Sequence, residues 1–353
     1  MTTTHGTGAV ITTAPDGEVT IDYGPRVCTR CVLPAAFPGI GFDDDGVCSY
    51  CRDENERVGT TVEAVRSGIA DALAGADPAH QYDCVALYSG GKDSSLALVR
   101  LSQDHGLKVL ALTVDNGFLS DAAGENMRRI VDATGVDHVL FRPRRGFTSG
   151  LYRTSLEVDF GTETTKYSTS ACGSCISLVL SIGIRFARTH AAPLLAGGWT
   201  AGQFTTSPVV GIAFLEDVIG RHFDPIGLAT AEHDDELRAW RPGPGAHPVG
   251  LVNPLYAEQD YSEAAVVREL RSHGWEAPAD TDSCSTNCRL NGLLIVDHVR
   301  RHGFHPYAYE LAHHVRLGLL RREDAMGKME RIGVRAPQVR AVALELGLTG
   351  PVL

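Results

Sequence analysis

One run of eight residues constrains this chain more than any other: Tyr88-Ser89-Gly90-Gly91-Lys92-Asp93-Ser94-Ser95. The apolar run Cys84-Val85-Ala86-Leu87 precedes it, and an apolar-periodic run from Leu96 to Leu101 follows. That order predicts a strand, a tight glycine loop and the start of a helix. Two adjacent glycines let the backbone approach a ligand closely and turn its amide N–H groups inward. A helix start adds free N–H donors and a partial positive charge. Lys92 adds a full charge, and Ser89, Ser94 and Ser95 add hydroxyl donors. Such a cradle suits a phosphate or pyrophosphate. It is not a Walker A loop, because the four-residue spacer before Gly-Lys is missing.

The remainder reads as an ordinary globular protein. Of 353 residues, 43% are hydrophobic and 21% charged, which fits a globular chain of two or three units. No run of about eighteen apolar residues occurs, so no membrane span is expected. Residues 1–17 lack the basic start and apolar core of a secretory leader. They read as part of a flexible tail on a cytoplasmic protein. A net charge of -11 disfavours non-specific nucleic-acid binding. A small metabolite, a nucleotide sugar or a carrier-bound acyl group is therefore a better expected substrate than tRNA. Arg142, Arg144 and Arg145 form a local basic turn, either solvated or gripping an anion. A homodimer is left open.

The expected organisation is a tail over 1–27, with a short strand at Val19–Tyr23, then a cysteine hairpin over 28–54 and a linking helix within 55–81. An α/β unit over 82–240 and a mostly helical region over 241–353 follow. Apolar runs at Cys84–Leu87, Val109–Val114, Asp137–Phe141 and Pro193–Ala196 alternate with helical patterns. The predicted fold class is α/β, with a doubly wound parallel sheet. Such sheets bind ligands at the carboxyl ends of their strands, where Ser89 and Asp115 both fall. The Pro- and Gly-rich stretch 241–250 reads as a loop or lid. A helix is expected over Ser262–Ser272, and another is expected to follow Cys175.

Eight of the nine cysteines are paired in sequence. Cys28/Cys31 and Cys48/Cys51 form two CxxC turns, which together complete a tetrahedral thiolate set. The segment between them has little apolar core, and a metal can supply the missing folding free energy. The expectation is structural Zn²⁺ with no open ligand position; reactive thiols are the alternative. Cys172/Cys175 and Cys284/Cys288 are far apart in sequence. Cys84, the ninth, reads as a buried strand residue.

Ser-Gly-Gly-Lys-Asp-Ser resembles the signature of the PP-loop ATP pyrophosphatases. The resemblance implies cleavage of ATP between its α- and β-phosphates and adenylation of a substrate oxygen. It implies that Ser89, Gly90, Gly91, Lys92, Asp93, Ser94 and Ser95 hold the pyrophosphate, that Asp93 helps coordinate Mg²⁺, and that Val114 and Asp115 lie near adenosine. The run from Cys28 through Phe37-Pro38-Gly39-Ile40-Gly41-Phe42-Asp43 to Cys48, with Val114-Asp115-Asn116-Gly117-Phe118, resembles the N-acetyl sugar amidotransferases. In that family, ammonia from a separate glutaminase subunit replaces an acyl oxygen.

The second cysteine set instead resembles that of the PP-loop sulfurtransferases, in which a CxxC and one distant cysteine hold a [4Fe–4S] cluster. The expected catalytic residues are then Lys92, Asp93, Cys172, Cys175 and Cys284, with Cys288 as a fourth ligand or a spare thiol and a sulfur-donor protein as partner. A second zinc, or catalytic or core thiols, is the alternative for this set. Gly197-Gly198-Trp199-Thr200-Ala201-Gly202-Gln203 lacks the acidic residue that the thiolases carry there, so the sequence identifies no acidic helper. Sulfur is the leading transferred atom and nitrogen the second. A non-catalytic ATP- and zinc-binding partner protein is the third reading.

Overall fold

The computed structural model describes residues 2–4, 8–53, 62–200, 202–203, 207–243, 245, 249–258, 261–350 and 353. Its strands are β1 (Thr2–Thr4), β2 (Val10–Thr13), β3 (Glu18–Asp22), β4 (Cys84–Leu87), β5 (Val109–Val114), β6 (Asp137–Phe141), β7 (Leu194–Ala196), β8 (Val209–Val210), β9 (Gly250–Val252) and β10 (Arg331–Arg335). The helices before the second cysteine pair are α1 (Ser49–Arg52), α2 (Val62–Ala74), α3 (Lys92–Val99), α4 (Asp121–Thr134), α5 (Arg145–Glu157), α6 (Thr162–Thr165), α7 (Ser170–Thr189), α8 (Ile212–Ala229) and α9 (Ala231–Trp240). The later ones are α10 (Glu263–Ser272), α11 (Asn291–His302), α12 (Ala308–Leu317), α13 (Arg322–Glu330) and α14 (Ala336–Leu346).

The main sheet has the order β6-β5-β4-β7-β9-β8. Its first five strands run parallel, and β8 runs antiparallel to β9. Central β4 and β5 are buried along their whole length, while β6 at the edge is not. Near-continuous apolar runs are what a strand covered on both faces requires. The expected doubly wound parallel sheet is therefore present. The fifth parallel strand, β9, comes from beyond residue 240, where the sequence reading placed a loop. Three residues are too few to give a periodic signal, and Leu251 and Val252 earn their place only by packing beside β7.

Helix α7 starts before its cysteines rather than after Cys175. The Thr169 side chain accepts a hydrogen bond from the Cys172 N–H at 3.1 Å and caps the first turn. Among the described residues α7 is the one helix long and apolar enough to cross a membrane. Here it packs against β4 and α8, with Leu178, Ile182 and Ile184 buried.

A second, antiparallel sheet has the order β1-β2-β3-β10. It corrects the expectation of a flexible tail over residues 1–27. Val19, Ile21 and Tyr23 alternate into the core, and the Tyr23 hydroxyl donates to the Met329 carbonyl at 3.1 Å. The short strand was legible as an alternation, but its partner β10 lies near the other end of the chain. In the linking region, α2 covers Val62–Ala74, and residues 54–61 lie outside the described set.

The glycine loop is seated by close packing. Gly90 has φ +73°, and a Cβ there would lie 2.3 Å from the Ala123 carbonyl oxygen and 2.9 Å from Met127 Cγ. An alanine would meet both left-handed strain and a clash with α4. Gly90→Ala is expected to cost about 2 kcal/mol or more, read as a lower urea midpoint at unchanged m-value.

Candidate functional site

The loop spans the end of β4 and the first turn of α3, the strand–loop–helix order that the apolar runs on either side of it predict. Ser89, Gly91, Lys92, Asp93 and Ser94 line a cavity of about 270 Å³, and Val114 at the end of β5 joins them. Ser89 Oγ and Ser94 Oγ are 3.0 Å apart, and the Ser94 hydroxyl donates to the Gly91 carbonyl at 3.2 Å. Lys92 Nζ donates to Asp93 Oδ2 at 2.7 Å, and the Tyr261 hydroxyl donates to Asp93 Oδ1. Burial opposes the Lys92 charge, but Asp93, Tyr261 and Glu263 together hold its ammonium well above the ordinary lysine value.

Three of the expected residues face elsewhere. Gly90 is turned against α4, and its carbonyl accepts from Trp275 Nε1 at 2.9 Å. Ser95 is buried behind the loop, with Oγ 3.5 Å from the Tyr88 hydroxyl. Asp115 lines a separate cavity with Arg142, whose Nε donates to Asp115 Oδ2 at 2.7 Å. The basic turn is thus internally paired: Arg142 with Asp115, and Arg144 with Glu236. Nothing is described for the Arg145 side chain.

A distant segment, residues 282–291, folds back over the loop. The Lys92 backbone N–H donates to Thr286 Oγ1 at 2.9 Å. The Ser120 N–H donates to the Asn287 carbonyl and the Arg289 N–H to the Phe118 carbonyl, each at 2.9 Å. These two bonds flank an antiparallel bridge between Leu119 and Cys288.

This fold-back sorts the second cysteine set. Cys172, Cys175 and Cys288 line one cavity of about 220 Å³, together with Asn116, Tyr152 and Glu310. It shares Asn116, Cys175, Trp199, Gln203 and Tyr307 with the loop cavity, so the two adjoin. Asn116 Nδ2 lies 3.4 Å from Cys288 Sγ and 4.0 Å from Cys175 Sγ. The Tyr152 hydroxyl is 3.3 Å from Cys175 Sγ, and Cys172 Sγ is 3.4 Å from Asn291 Oδ1.

Cys284 does not line that cavity, although Cys175 reaches the loop cavity that Cys284 lines. It lines the loop cavity and a smaller space shared with Lys92, Glu310 and Lys328. Of the expected set, Cys172, Cys175 and the expected fourth member Cys288 thus share one cavity, and Cys284 lies on the loop side. The cause is local. Asp282 Oδ1 accepts from the Cys284 and Ser285 N–H groups at 2.8 and 2.9 Å, which turns Cys284 away, while the bridge to Leu119 fixes Cys288. Burial raises all four thiols above the ordinary cysteine value, Cys288 to about 11. A cation bound among them would be needed to hold them as thiolates.

Cys28, Cys31, Cys48 and Cys51 converge as the spacing predicts. All four are buried, and their Sγ atoms lie within 4.8 Å of one another. The Cys31 and Cys48 N–H groups donate to Cys28 Sγ at 3.4 and 3.3 Å, the orienting bonds that a thiolate ligand receives. Four sulfurs at this spacing suit one tetrahedral ion. Arg322 of α13 locks the hairpin to the C-terminal region, with Nε donating to the Cys31 carbonyl at 2.8 Å and Nη2 to the Cys28 carbonyl at 2.9 Å.

Sequence reasoning missed Glu310, Tyr261, Asn291 and Trp275. Each reaches the site from a different part of the C-terminal region, and none sits in a motif. Thr286 and Asn287 did carry a signal, as the polar residues between Cys284 and Cys288. Gln203 does not begin a described helix; its Oε1 accepts from the Thr200 N–H at 2.9 Å and its Nε2 donates to Glu310 at 2.6 Å.

No family model matches the chain. An uncharacterized protein of Methanocaldococcus jannaschii is 25% identical over 251 residues, which is 71% of this chain and 73% of that one. Among solved structures, the chain is similar to a predicted subunit of tRNA methyltransferase from M. jannaschii (15% identity, TM-score 0.33, 64% of this chain and 91% of that one). It is also similar to an NH3-dependent NAD synthetase from Campylobacter jejuni (15%, 0.30, 60% and 93%). A third likeness is to an NMN synthetase from Francisella tularensis (12%, 0.30, 72% and 94%). At TM-scores this low, these likenesses assign no residue and no activity.

The hairpin geometry predicts about one tightly held zinc per chain by elemental analysis. Cys31→Ser should lose it and lower the melting temperature by several degrees, because the metal contributes folding free energy.

Proposed function

We propose that this protein is an ATP-dependent adenylating enzyme of the PP-loop type, and that sulfur replaces the adenylated oxygen of its substrate. The observation that carries this reading is the adjacency of the two cavities: Cys172, Cys175 and Cys288 open beside the glycine loop. On this reading, the backbone and hydroxyls of Ser89, Gly91 and Ser94 receive the β- and γ-phosphates of ATP. Lys92 leaves Asp93 for the phosphate, and Asp93 turns to Mg²⁺. Adenylation converts a carbonyl or amide oxygen into a good leaving group.

The three-cysteine cavity fits a [4Fe–4S] cluster in its donor chemistry. It offers three thiols, with an amide N–H from Asn116 and a hydroxyl from Tyr152 directed at their sulfurs. Cys172, Cys175 and Cys288 would hold the cluster, which would supply an iron-bound sulfur beside the adenylated carbon. Asn116 and Tyr152 would orient the thiolates, and Trp199 and Tyr307 would limit water between the cavities. A sulfur-donor protein is the partner this reading needs.

A second reading makes nitrogen the transferred atom, delivered from a glutaminase subunit. The cysteine hairpin favours it, since that hairpin carries the resemblance to the sugar amidotransferases. A small or carrier-bound substrate in the cytoplasm suits both readings.

Lys92→Ala should lower ATP-dependent pyrophosphate release, assayed with a small-molecule extract as acceptor pool, by at least about 100-fold while leaving the metal content intact. Full activity in that variant would overturn the PP-loop assignment. Anaerobically purified protein should carry about four irons and a broad visible absorbance. Cys288→Ala should lose both and Cys284→Ala should keep them; a second zinc and no iron would instead favour nitrogen.

A further inference from the structure

Glu310 is a half-buried carboxylate that no cation bonds among the described residues. It projects from α12 and lines both the three-cysteine cavity and the smaller space beside Lys92. Its hydrogen bond comes from a neutral amide, Gln203 Nε2, at 2.6 Å. The two nearby ammonium groups are engaged elsewhere. Lys92 Nζ bonds Asp93 at 2.7 Å, and Lys328 Nζ bonds the Ser283 carbonyl at 2.6 Å and Glu263 at 2.8 Å. Among the described residues no cation bonds Glu310.

Its surroundings bear charges of both signs. Lys92 and Asp93 face it from α3, Lys328 from α13, and Glu263 with the preceding Tyr261 from α10. Cys284 faces it from the fold-back segment, and Tyr307 and His314 stand beside it on its own side of the space. Burial raises its carboxyl to about 7, with Lys92 the main opposing influence. A structural carboxylate withdrawn from solvent to this extent ordinarily has a paired cation or several donors. A proton-exchanging one is poised near neutrality.

We propose that Glu310 is the proton-exchanging group of this site. The role rests on the ATP-adenylating reading above, but holds for either transferred atom. An arriving triphosphate engages Lys92 and adds negative charge beside Glu310, which takes up a proton. Departure of pyrophosphate removes that charge, and the proton leaves with it or to solvent. The ionised carboxylate then accepts the proton that the incoming N–H or S–H nucleophile sheds. A bond forms from nitrogen or sulfur to the adenylated carbon, the bond from that carbon to the AMP oxygen breaks, and AMP leaves with the electron pair. No oxidant or reductant is needed in this exchange.

The test measures binding of Mg²⁺ and an α,β-methylene analogue of ATP by calorimetry at pH 8, in buffers of different ionisation enthalpy. Wild type should take up a fraction of a proton per nucleotide, and Glu310→Gln should bind the analogue with that uptake lost. Equal uptake in both proteins would overturn the role of Glu310. Folded wild type that binds no nucleotide would overturn the ATP reading itself and this role with it. Should the glutamine variant not fold, Glu310→Asp should shift the pH midpoint of uptake; an unmoved midpoint would overturn the proposal.

Discussion

The site depends on one long-range closure: residues 282–291 pinned across the glycine loop. A loop with two adjacent glycines has high conformational entropy when free. Here it is held from three sides, by the Thr286 hydroxyl on the Lys92 amide, Trp275 on the Gly90 carbonyl, and α4 against Gly90 itself. The same segment places Cys288 beside the α7 cysteines and Cys284 beside Lys92. One stretch of chain thus shapes the anion cradle, the cysteine cavity and the space around Glu310. A substitution at Asp282 or Asn291, which hold the segment's turn, would disturb all three together.

The two cysteine sets illustrate how packing separates similar sequence patterns. In the hairpin, four thiols meet at mononuclear spacing, with backbone N–H groups directed at sulfur. In the second set, the sulfurs surround a cavity, and side-chain amides and hydroxyls approach them. A compact tetrahedron suits one ion; the second set shows no such convergence among the described residues. The first arrangement holds a hairpin in shape. The second adjoins the cavity of the glycine loop.

Much of this was legible in the sequence, for reasons that differ by element. β4 and β5 match the expected runs because a strand buried on both faces must be apolar along its length. The hairpin was legible because its ligands are close in sequence. β9 was not, because three residues carry no period. Gly90, Ser95 and Asp115 were read as ligands from a motif, yet each turns away, since a motif fixes residue types and not the face each presents. The separation of Cys284 from Cys288 turned on an Asp282 turn and a bridge to Leu119, neither of which has a local signature. Glu310 sits in a helix that reads as ordinary, and only the three-dimensional juxtaposition with Lys92 gives it meaning.

The pairing of β3 with β10 has a consequence for how the protein is made. Translation delivers β3 long before β10, so one edge of the strand bearing Val19 and Ile21 lacks its partner until β10 has been made. The fold-back segment and Glu310 also emerge late. The nascent chain therefore carries the SGGKDS loop and the α4 wall against Gly90 well before Trp275 and Thr286, which hold the loop from its other sides. Closure of the glycine loop and completion of the β3 edge both wait for residues that follow position 274 in the chain.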